Sequence, residues 1–231
     1  MPIVRKWQLR KLVEFWQRGH GLVVDGIAGS QTLASIGPDI VGHSVGEPES
    51  FDPGIVIPTD RIEIRGLLGH PGPVRSPDKA WRKANIHSYR DLPGVARWMN
   101  LHILIEPMAR EGIRRGFEST GYVITRGDSW VHRYLRHDPR RGLSLHAFGA
   151  AIDLNPHQNK ARSFARGQAP EPWGKEWMTL WPDGIPRAYV EAMEAVGWTW
   201  GGVWGKRGGP FSERIKNVRR CDPMHFEARD R

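Results

Sequence analysis

The sequence predicts an α+β fold for most of the chain, preceded by a small all-α domain. Two observations predict this fold. Apolar residues recur with helical spacing near the N-terminus and again near residue 190, and apolar runs at 122–125, 148–154 and 224–228 are typical of strands. The 231 residues are enough for one domain of ordinary size with a small appendage. We therefore expect a buried core in the larger part.

The N-terminal region carries two helix signals. An apolar stripe with spacing i, i+3, i+4 and i+7 predicts a helix over about residues 4–18. Ser30 is expected to cap a second, short helix that stops at Gly37. The stripe consists of Leu9, Leu12, Val13 and Trp16. We assign residues 1–43 to this helical domain.

A linker and the main domain are predicted next. Residues 44–60 are rich in Pro, Gly, Ser and acidic residues and show no helical period, so we expect a linker there and a main domain over 61–231. In the main domain, Asp91 is expected to cap a helix kinked at Pro107, and a later helix is expected to end at Gly197. The apolar faces consist of Trp98, Leu101, Ile105 and Met108 in the first helix, and of Tyr189, Ala192, Met193 and Val196 in the second.

The composition fits a water-soluble protein with a basic surface. Hydrophobic residues make up 39% and charged residues 26%, and no apolar run is long enough to span a bilayer or to form a secretory signal. The net charge of +9 favours polyanions, which include nucleic acid, anionic membranes and acidic cell-wall polymers. No nucleic-acid-binding motif is present and the basic residues are scattered, so we expect no nucleic-acid partner. The single cysteine, Cys221, excludes an intramolecular disulfide and is expected to be a free thiol.

Two segments carry the residues of a metal site. In Ser144–Asn155 a histidine precedes an apolar strand that contains Asp153, and an ionised carboxylate in such a setting is costly unless it is paired or bound to a metal. In the segment DPMHFE, His225 and Glu227 share one face of a strand. Two histidines and one carboxylate are protein ligands that leave the fourth position of zinc open for water. An iron(II) oxygenase uses the same ligand types, but its histidine and acid usually lie two residues apart, whereas His146 and Asp153 lie seven apart.

Three motifs resemble the family of zinc D-alanyl-D-alanine carboxypeptidases and L-alanyl-D-glutamate endopeptidases. They are S-x-H-x-x-G-x-A-x-D at 144–153, GWTWGGVW at 197–204 and DPMHFE at 222–227, and the resemblance covers about residues 88–231. It implies a small antiparallel sheet with flanking helices that holds one Zn²⁺ per chain, as in the D-Ala-D-Ala peptidase and hedgehog-like fold. The family's zinc ligands correspond to His146, Asp153 and His225, and its general base corresponds to Asp222. An aspartate at the position of the base resembles the endopeptidase branch.

The family also has an arginine that stabilises the oxyanion, and the resemblance favours Arg133 for this role. Other arginines of the same region remain alternatives, namely Arg126, Arg136, Arg140 and Arg141. We expect Ser144, Trp200 and Trp204 to line the substrate groove. For the two tryptophans the alternative is a place in the core or behind the site, because large aromatic residues are most often buried.

The N-terminal segment resembles the peptidoglycan-binding repeat of bacterial and phage wall hydrolases. The resemblance rests on VDGIAGSQT at 24–32 and covers about residues 4–37. Together the two resemblances imply a phage endolysin that cleaves the peptidoglycan stem peptide, most simply between L-alanine and D-glutamate. A D-alanyl-D-alanine carboxypeptidase and a non-catalytic wall-binding protein are the alternatives. We expect a monomer that stays in the host cytoplasm until holin-type pores release it to the cell wall.

Overall fold

The computed structural model describes Phe51, Ile55, Ile57, Pro58, residues 60–204 and residues 210–228. The described helices are α1 (Arg61–Leu68), α2 (Lys79–Asn85), α3 (Glu106–Thr120), α4 (Lys175–Leu180), α5 (Arg187–Ala195) and α6 (Phe211–Arg214). The described strands are β1 (Ile86–Tyr89), β2 (Met99–His102), β3 (Gly127–Asp128), β4 (Ala151–Leu154), β5 (Arg162–Ser163), β6 (Thr199–Trp200), β7 (Arg220–Cys221) and β8 (His225–Glu227). Helices and small antiparallel sheets are therefore mixed, as the α+β prediction requires.

The largest sheet has the strand order β3-β4-β8-β6, and all its neighbours are antiparallel. The last strand in the chain, β8, thus lies inside the sheet. Its register with β4 places His225 directly opposite Asp153. Directly opposite residues on antiparallel strands project to the same face, so the sheet itself brings these two polar side chains together. Two further two-stranded sheets pair β1 with β2 and β5 with β7.

Helices α3 and α5 pack closely against each other through glycines of α3. A side chain at Gly112 would come within 2.8 Å of the sulfur of Met193, and one at Gly116 would come within 2.7 Å of the ring of Tyr189. These two glycines lie four residues apart and therefore on one face of α3. Their lack of a side chain lets α5 approach, and the contact buries Tyr189, Val190 and Met193.

A second part of the core consists of tryptophans. The rings of Trp173 and Trp200 are stacked with centroids 5.1 Å apart, and Trp177 lies against both Trp181 and Trp200. Burial of such large rings contributes strongly to stability and fixes the position of β6. None of the helices in the described ranges has the length and apolar character needed to cross a membrane.

The helix predicted after Asp91 is wrong in its first half. Residues Met99–His102 form strand β2, and α3 starts only at Glu106. Pro107 lies in the first turn of α3, where its missing N–H costs nothing, so it begins the helix instead of kinking it. Trp98 is 52% exposed and does not belong to the core, whereas Leu101 and Ile105 are fully buried.

The predicted strand at 122–125 is also wrong, and the strand at 148–154 is too long. Ile124 makes only an isolated bridge to Val95, because the side chain of Asn155 takes up the backbone N–H groups of Thr125 and Arg126. The segment Leu145–Phe148 is a 3₁₀ turn, and β4 starts at Ala151. The helix ending before Gly197 and the strand near the C-terminus are confirmed as α5 and β8. The predictions for residues 1–43 and for most of the linker lie outside the described residues.

Candidate metal centre

His146 is held by the 3₁₀ turn Leu145–Phe148 with its ring almost fully buried. Its Nδ1 donates a hydrogen bond of 2.7 Å to the carbonyl oxygen of Ser129. Since Nδ1 carries the proton, Nε2 presents its lone pair to the inside of the site. Such a hydrogen bond from the far nitrogen is the usual way in which a metal-binding histidine is oriented.

Asp153 and His225 complete a cluster with His146. Nδ1 of His225 lies 2.9 Å from Oδ1 of Asp153 and 3.2 Å from Nε2 of His146, and this last nitrogen lies 3.4 Å from Oδ1 of Asp153. Four ligands at the Zn–N distance of a tetrahedral site are about 3.3 Å apart. The three atoms therefore have the spacing of three corners of a zinc tetrahedron, and their chemistry of two imidazole nitrogens and one carboxylate oxygen fits this ion.

Glu227 lies behind His225, with its Oε2 3.5 Å from Nε2 of the imidazole. Its carboxylate is buried, and it follows His225 by two residues on the same face of β8. A proton on Nε2 that faces Glu227 leaves Nδ1 free to bind a metal ion. Alternation along the segment HFE predicts that Glu227 lies on this face, but the sequence alone assigns no role to it.

The electrostatics of the cluster favour a positive charge at its centre. Burial by itself would raise the pKa of Asp153, but the imidazoles of His146 and His225 beside its carboxylate outweigh this effect and hold its pKa well below the usual range. Burial by itself would lower the pKa of His225, yet the hydrogen bonds with Asp153 and Glu227 raise its pKa to about 10. The cluster therefore holds the carboxylate of Asp153 beside an imidazole, that of His225, which binds a proton tightly. A metal cation can replace that proton.

Asp222 lies next to this cluster on the turn before β8. Its backbone N–H donates to Gly201, and its backbone carbonyl accepts from His225. The side chain is 14% exposed, and its Oδ1 has no hydrogen-bond partner among the residues that the structure describes. Burial raises the pKa of this carboxyl group, and the nearby carboxylate of Asp153 adds to the effect. Such a carboxylate is ready to accept a proton.

A cavity of about 740 Å³ is lined by Asp153 and His225 of the cluster, by Asp222 and by part of the expected groove, whereas the ring of His146 is buried behind this lining. Arg133, Ser144 and Trp204 line it. The carbonyl of Arg133 accepts a 3.0 Å hydrogen bond from the N–H of Ser144. Because Ser144 lies two residues before His146 in the chain, this bond ties the backbone of Arg133 to the segment that carries His146. The ring of Trp204 lies 5.2 Å from that of His225.

Trp200 does not line the groove, contrary to the expectation from the sequence. It is 1% exposed, stacks on Trp173 and donates its Nε1–H to the carbonyl of Pro223. It therefore supports the turn that carries Asp222 from behind and has no surface for a substrate. Its place in the core follows from β6, on which successive residues must face opposite sides.

The other candidates are distributed around the site. Arg126 forms an ion pair with Asp128 and does not line the cavity, whereas Arg136 and Arg141 do. The exposed Arg140 pairs with Asp138, outside the lining. Cys221 is fully buried, and burial raises the pKa of its thiol to about 12, so it remains a neutral thiol beside the site. The carbonyl of Ser129 was not predicted, because a backbone acceptor leaves no signal in the sequence.

Comparison with known protein families finds a match to one family model. Residues 137–228 match the model of a D-alanyl-D-alanine carboxypeptidase family. The matched segment is less than half of the chain, but it includes His146, Asp153, Asp222 and His225. Searches of curated proteins and of solved structures found no significant match. The family match supports a peptidase related to peptidoglycan in general, and the His-Asp-His cluster fits a metal site.

Proposed function

We propose that this protein is a zinc-dependent endopeptidase that hydrolyses the stem peptide of peptidoglycan between L-alanine and D-glutamate. The observation that carries the proposal is the arrangement of His146, Asp153 and His225, whose inner atoms lie 2.9–3.4 Å apart at the wall of a cavity that Asp153, His225 and Asp222 line. A metal-binding cluster beside a buried carboxylate, one oxygen of which has no hydrogen-bond partner among the described residues, is the set of groups that metal-assisted hydrolysis needs.

The three ligands would hold the zinc ion, with Ser129 and Glu227 orienting the two imidazoles from behind. When bound, zinc supplies Lewis acidity, which polarises a peptide carbonyl and makes a water molecule acidic enough to attack at neutral pH. The protein contributes rigidity to this site. Asp153 and His225 sit on paired strands, so their separation is set by the sheet and not by a loop.

Asp222 would act as general base and then as general acid. Its Oδ1 would accept a proton from the attacking water, and burial, which raises the pKa of this carboxyl group, makes it a stronger base than an exposed aspartate. The same oxygen then donates the proton to the leaving amine. Arg133 lines the cavity and supplies a positive charge for the oxyanion of the tetrahedral intermediate.

A D-alanyl-D-alanine carboxypeptidase is the second candidate, because the matching family carries that description. Aspartate at position 222 supports the endopeptidase instead, since the carboxypeptidases that the chain resembles usually carry glutamate there. The test is to digest purified peptidoglycan and identify the new termini by mass spectrometry. New amino-terminal glutamate supports the endopeptidase, whereas release of free D-alanine shows the carboxypeptidase. No new terminus at full zinc loading refutes both and leaves a non-catalytic wall-binding protein.

We also propose that residues 1–43 bind the cell wall and that the protein is an endolysin, which stays in the host cytoplasm until pores admit it to the wall. The support is the resemblance of VDGIAGSQT to a wall-binding repeat and the net charge of +9, which suits acidic wall polymers. Deletion of residues 1–43 should weaken co-sedimentation with intact walls and leave cleavage of a short soluble stem peptide nearly unchanged. Equal co-sedimentation of both forms would contradict this role.

A further inference from the structure

The 3₁₀ turn that carries His146 is held by an earlier segment of the chain, Ser129, Trp130 and Val131, which we call the supporting segment. The carbonyl of Ser129 accepts the 2.7 Å hydrogen bond from Nδ1 of His146. The backbone N–H of Val131 donates to the carbonyl of the same histidine, and the indole N–H of Trp130 donates to the carbonyl of Ala147. The orientation of the imidazole therefore depends on where the supporting segment lies.

The side-chain hydroxyl of Ser129 fixes the supporting segment to strand β2. Ser129 is buried, and its Oγ accepts a hydrogen bond of 2.7 Å from the backbone N–H of Asn100. The preceding residue, Asp128, is held by its pairing with Asp153 across β3 and β4. The two oxygens of Ser129 therefore connect β2 with His146, since the hydroxyl contacts the strand and the carbonyl contacts the imidazole.

Strand β2 also contacts the end of the turn directly. The N–H of His102 donates a hydrogen bond of 3.2 Å to the carbonyl of Gly149, the residue at which the turn of His146 ends. Asn100 and His102 lie two residues apart, so their N–H groups point to the same edge of β2, and β1 pairs along the opposite edge. A side chain at Gly149 would come within 2.6 Å of the backbone nitrogen of His102, so the glycine allows this close approach.

We propose that Ser129 is a positioning residue, whose hydroxyl ties the orientation of His146 to the fixed place of β2. The inference rests on the proposed function, because it assigns Ser129 a task toward the metal ion. Both Asn100 and Ser129 lie outside residues 137–228, the segment that matches the family model. Without the hydroxyl, the N–H of Asn100 loses its acceptor, which is unfavourable in a buried place, and the supporting segment gains freedom to shift.

The zinc affinity of Ser129→Ala tests this role, because the substitution removes the hydroxyl and keeps the carbonyl. We expect the Kd for zinc, measured by competition with a chelator, to rise by roughly 10- to 100-fold, the usual effect of losing a partner behind a metal ligand. Ser129→Thr keeps a hydroxyl and should recover most of the affinity.

Thr120→Val is the matched control for this experiment. The hydroxyl of Thr120 also accepts a backbone N–H, that of Tyr122, but it lies in the last turn of α3 and outside the cavity lining. The control should lower the melting temperature and keep the zinc affinity of the unmodified protein. Melting temperature and zinc affinity should be measured on the same preparations.

A second readout uses metal-free protein and needs neither zinc nor substrate. NMR of the imidazole nitrogens shows which nitrogen of His146 carries the proton and whether that proton exchanges slowly with water. In the unmodified protein we expect a slowly exchanging proton on Nδ1, because it is bonded to the carbonyl of Ser129 in a buried place. Ser129→Ala should lose this slowly exchanging signal, whereas Thr120→Val should keep it.

Unchanged zinc affinity and an unchanged proton signal of His146 in Ser129→Ala would overturn the positioning role and leave the peptidase intact. An equal loss of zinc affinity in Thr120→Val would also overturn it, because the effect would then follow from stability alone. The same holds if Ser129→Thr binds zinc as weakly as Ser129→Ala. If the unmodified protein binds zinc but cleaves no stem peptide, the proposed function is refuted, and a weaker zinc affinity of Ser129→Ala still supports the positioning role.

Discussion

Asp153 and His225 face each other across the antiparallel pair β4–β8, with Oδ1 of the aspartate 2.9 Å from Nδ1 of the histidine. The register of the sheet therefore sets the distance between two of the three atoms that would hold the metal. A neighbouring strand offers a matched comparison, because Asp128 on β3 lies directly opposite Asp153 on its other side. Asp128 is more exposed and does not belong to the cluster.

Asp153→Asn should abolish tight zinc binding, because the substitution removes the only charged ligand of the cluster while keeping its size. We expect zinc content after dialysis to fall from about one per chain to near zero, as measured by elemental analysis. Asp128→Asn is the control and should keep its zinc. Full zinc occupancy in Asp153→Asn would contradict the assigned ligand set.

Asp222→Asn should leave zinc in place and lower turnover of a stem peptide by roughly 10²- to 10⁴-fold, the usual loss for a general base. Thermal stability should stay the same or rise, because Oδ1 of Asp222 has no hydrogen-bond partner among the described residues and its ionised form is disfavoured by burial. Zinc content, melting temperature and cleavage should be measured on one preparation. A less stable variant with normal turnover per folded molecule would make Asp222 a structural residue of the turn.

Asn155→Ala should destabilise the protein by about 1–3 kcal/mol, because it leaves three partly buried backbone groups without their partner. Its side chain accepts from the N–H groups of Thr125 and Arg126 and donates to the carbonyl of Val123. Asn155 has a φ of 45°, so Asn155→Gly separates the backbone effect from the lost hydrogen bonds and should still be destabilised.

Chemical denaturation measures the loss of stability in both Asn155 variants. The exposed Asn217, whose side chain makes a single long hydrogen bond to Arg166, provides the control, and Asn217→Ala should change stability by less than about 0.5 kcal/mol. A similarly small effect of Asn155→Ala would show that water replaces the lost hydrogen bonds.

Glu111→Gln should reduce stability in a pH-dependent way. Hydrogen bonds from Arg114, and also from Arg115, lower the pKa of Glu111 to about 2. A carboxyl group whose pKa is lower in the folded state stabilises the protein above its unfolded pKa and loses this contribution as the pH falls through the folded value. The variant should therefore be about 0.5–1 kcal/mol less stable at pH 7, with the difference vanishing towards pH 2.

Glu171→Gln is the control for this pH series, since Glu171 is exposed and takes part in no ion pair within the described ranges. Its denaturation midpoint should follow that of the unmodified protein at every pH. A constant difference between Glu111→Gln and the unmodified protein down to pH 2 would mean that the ionised carboxylate is not the stabilising group.

The residues of the candidate metal centre could be named from the sequence, because each lies in a short motif in which residue type and spacing are informative. His225 and Glu227 share a face by simple alternation, and Asp153 is conspicuous among apolar neighbours. The roles of these residues remain predictions until metal and activity are measured. The groups that orient the metal-binding side chains from behind were harder to predict. The support of His146 by the carbonyl of Ser129 depends on backbone geometry, which no residue type encodes.

The wrong predictions of secondary structure have one physical cause, which is that contacts with residues distant in the sequence override the local preference. The apolar spacing of Trp98, Leu101 and Ile105 fits a helix, yet the backbone of Met99–His102 pairs with β1 instead. At 122–125 the side chain of Asn155 takes the hydrogen bonds that a neighbouring strand would otherwise supply. The local spacing of apolar residues carries no information about either partner, strand β1 or the side chain of Asn155. By contrast, α5 has its apolar face and its stop signal within its own segment, and it was predicted correctly.

The position of β8 inside the sheet has a consequence for biosynthesis. The ribosome makes β4 and β6 before β8, but β8 lies between them, and His225 follows His146 by 79 residues. A growing chain that has not yet reached His225 thus carries two of the three inner atoms and an incomplete sheet. Any reaction that depends on the cluster must start after translation has passed β8, and a truncated chain that lacks this strand is inert however well its remainder folds.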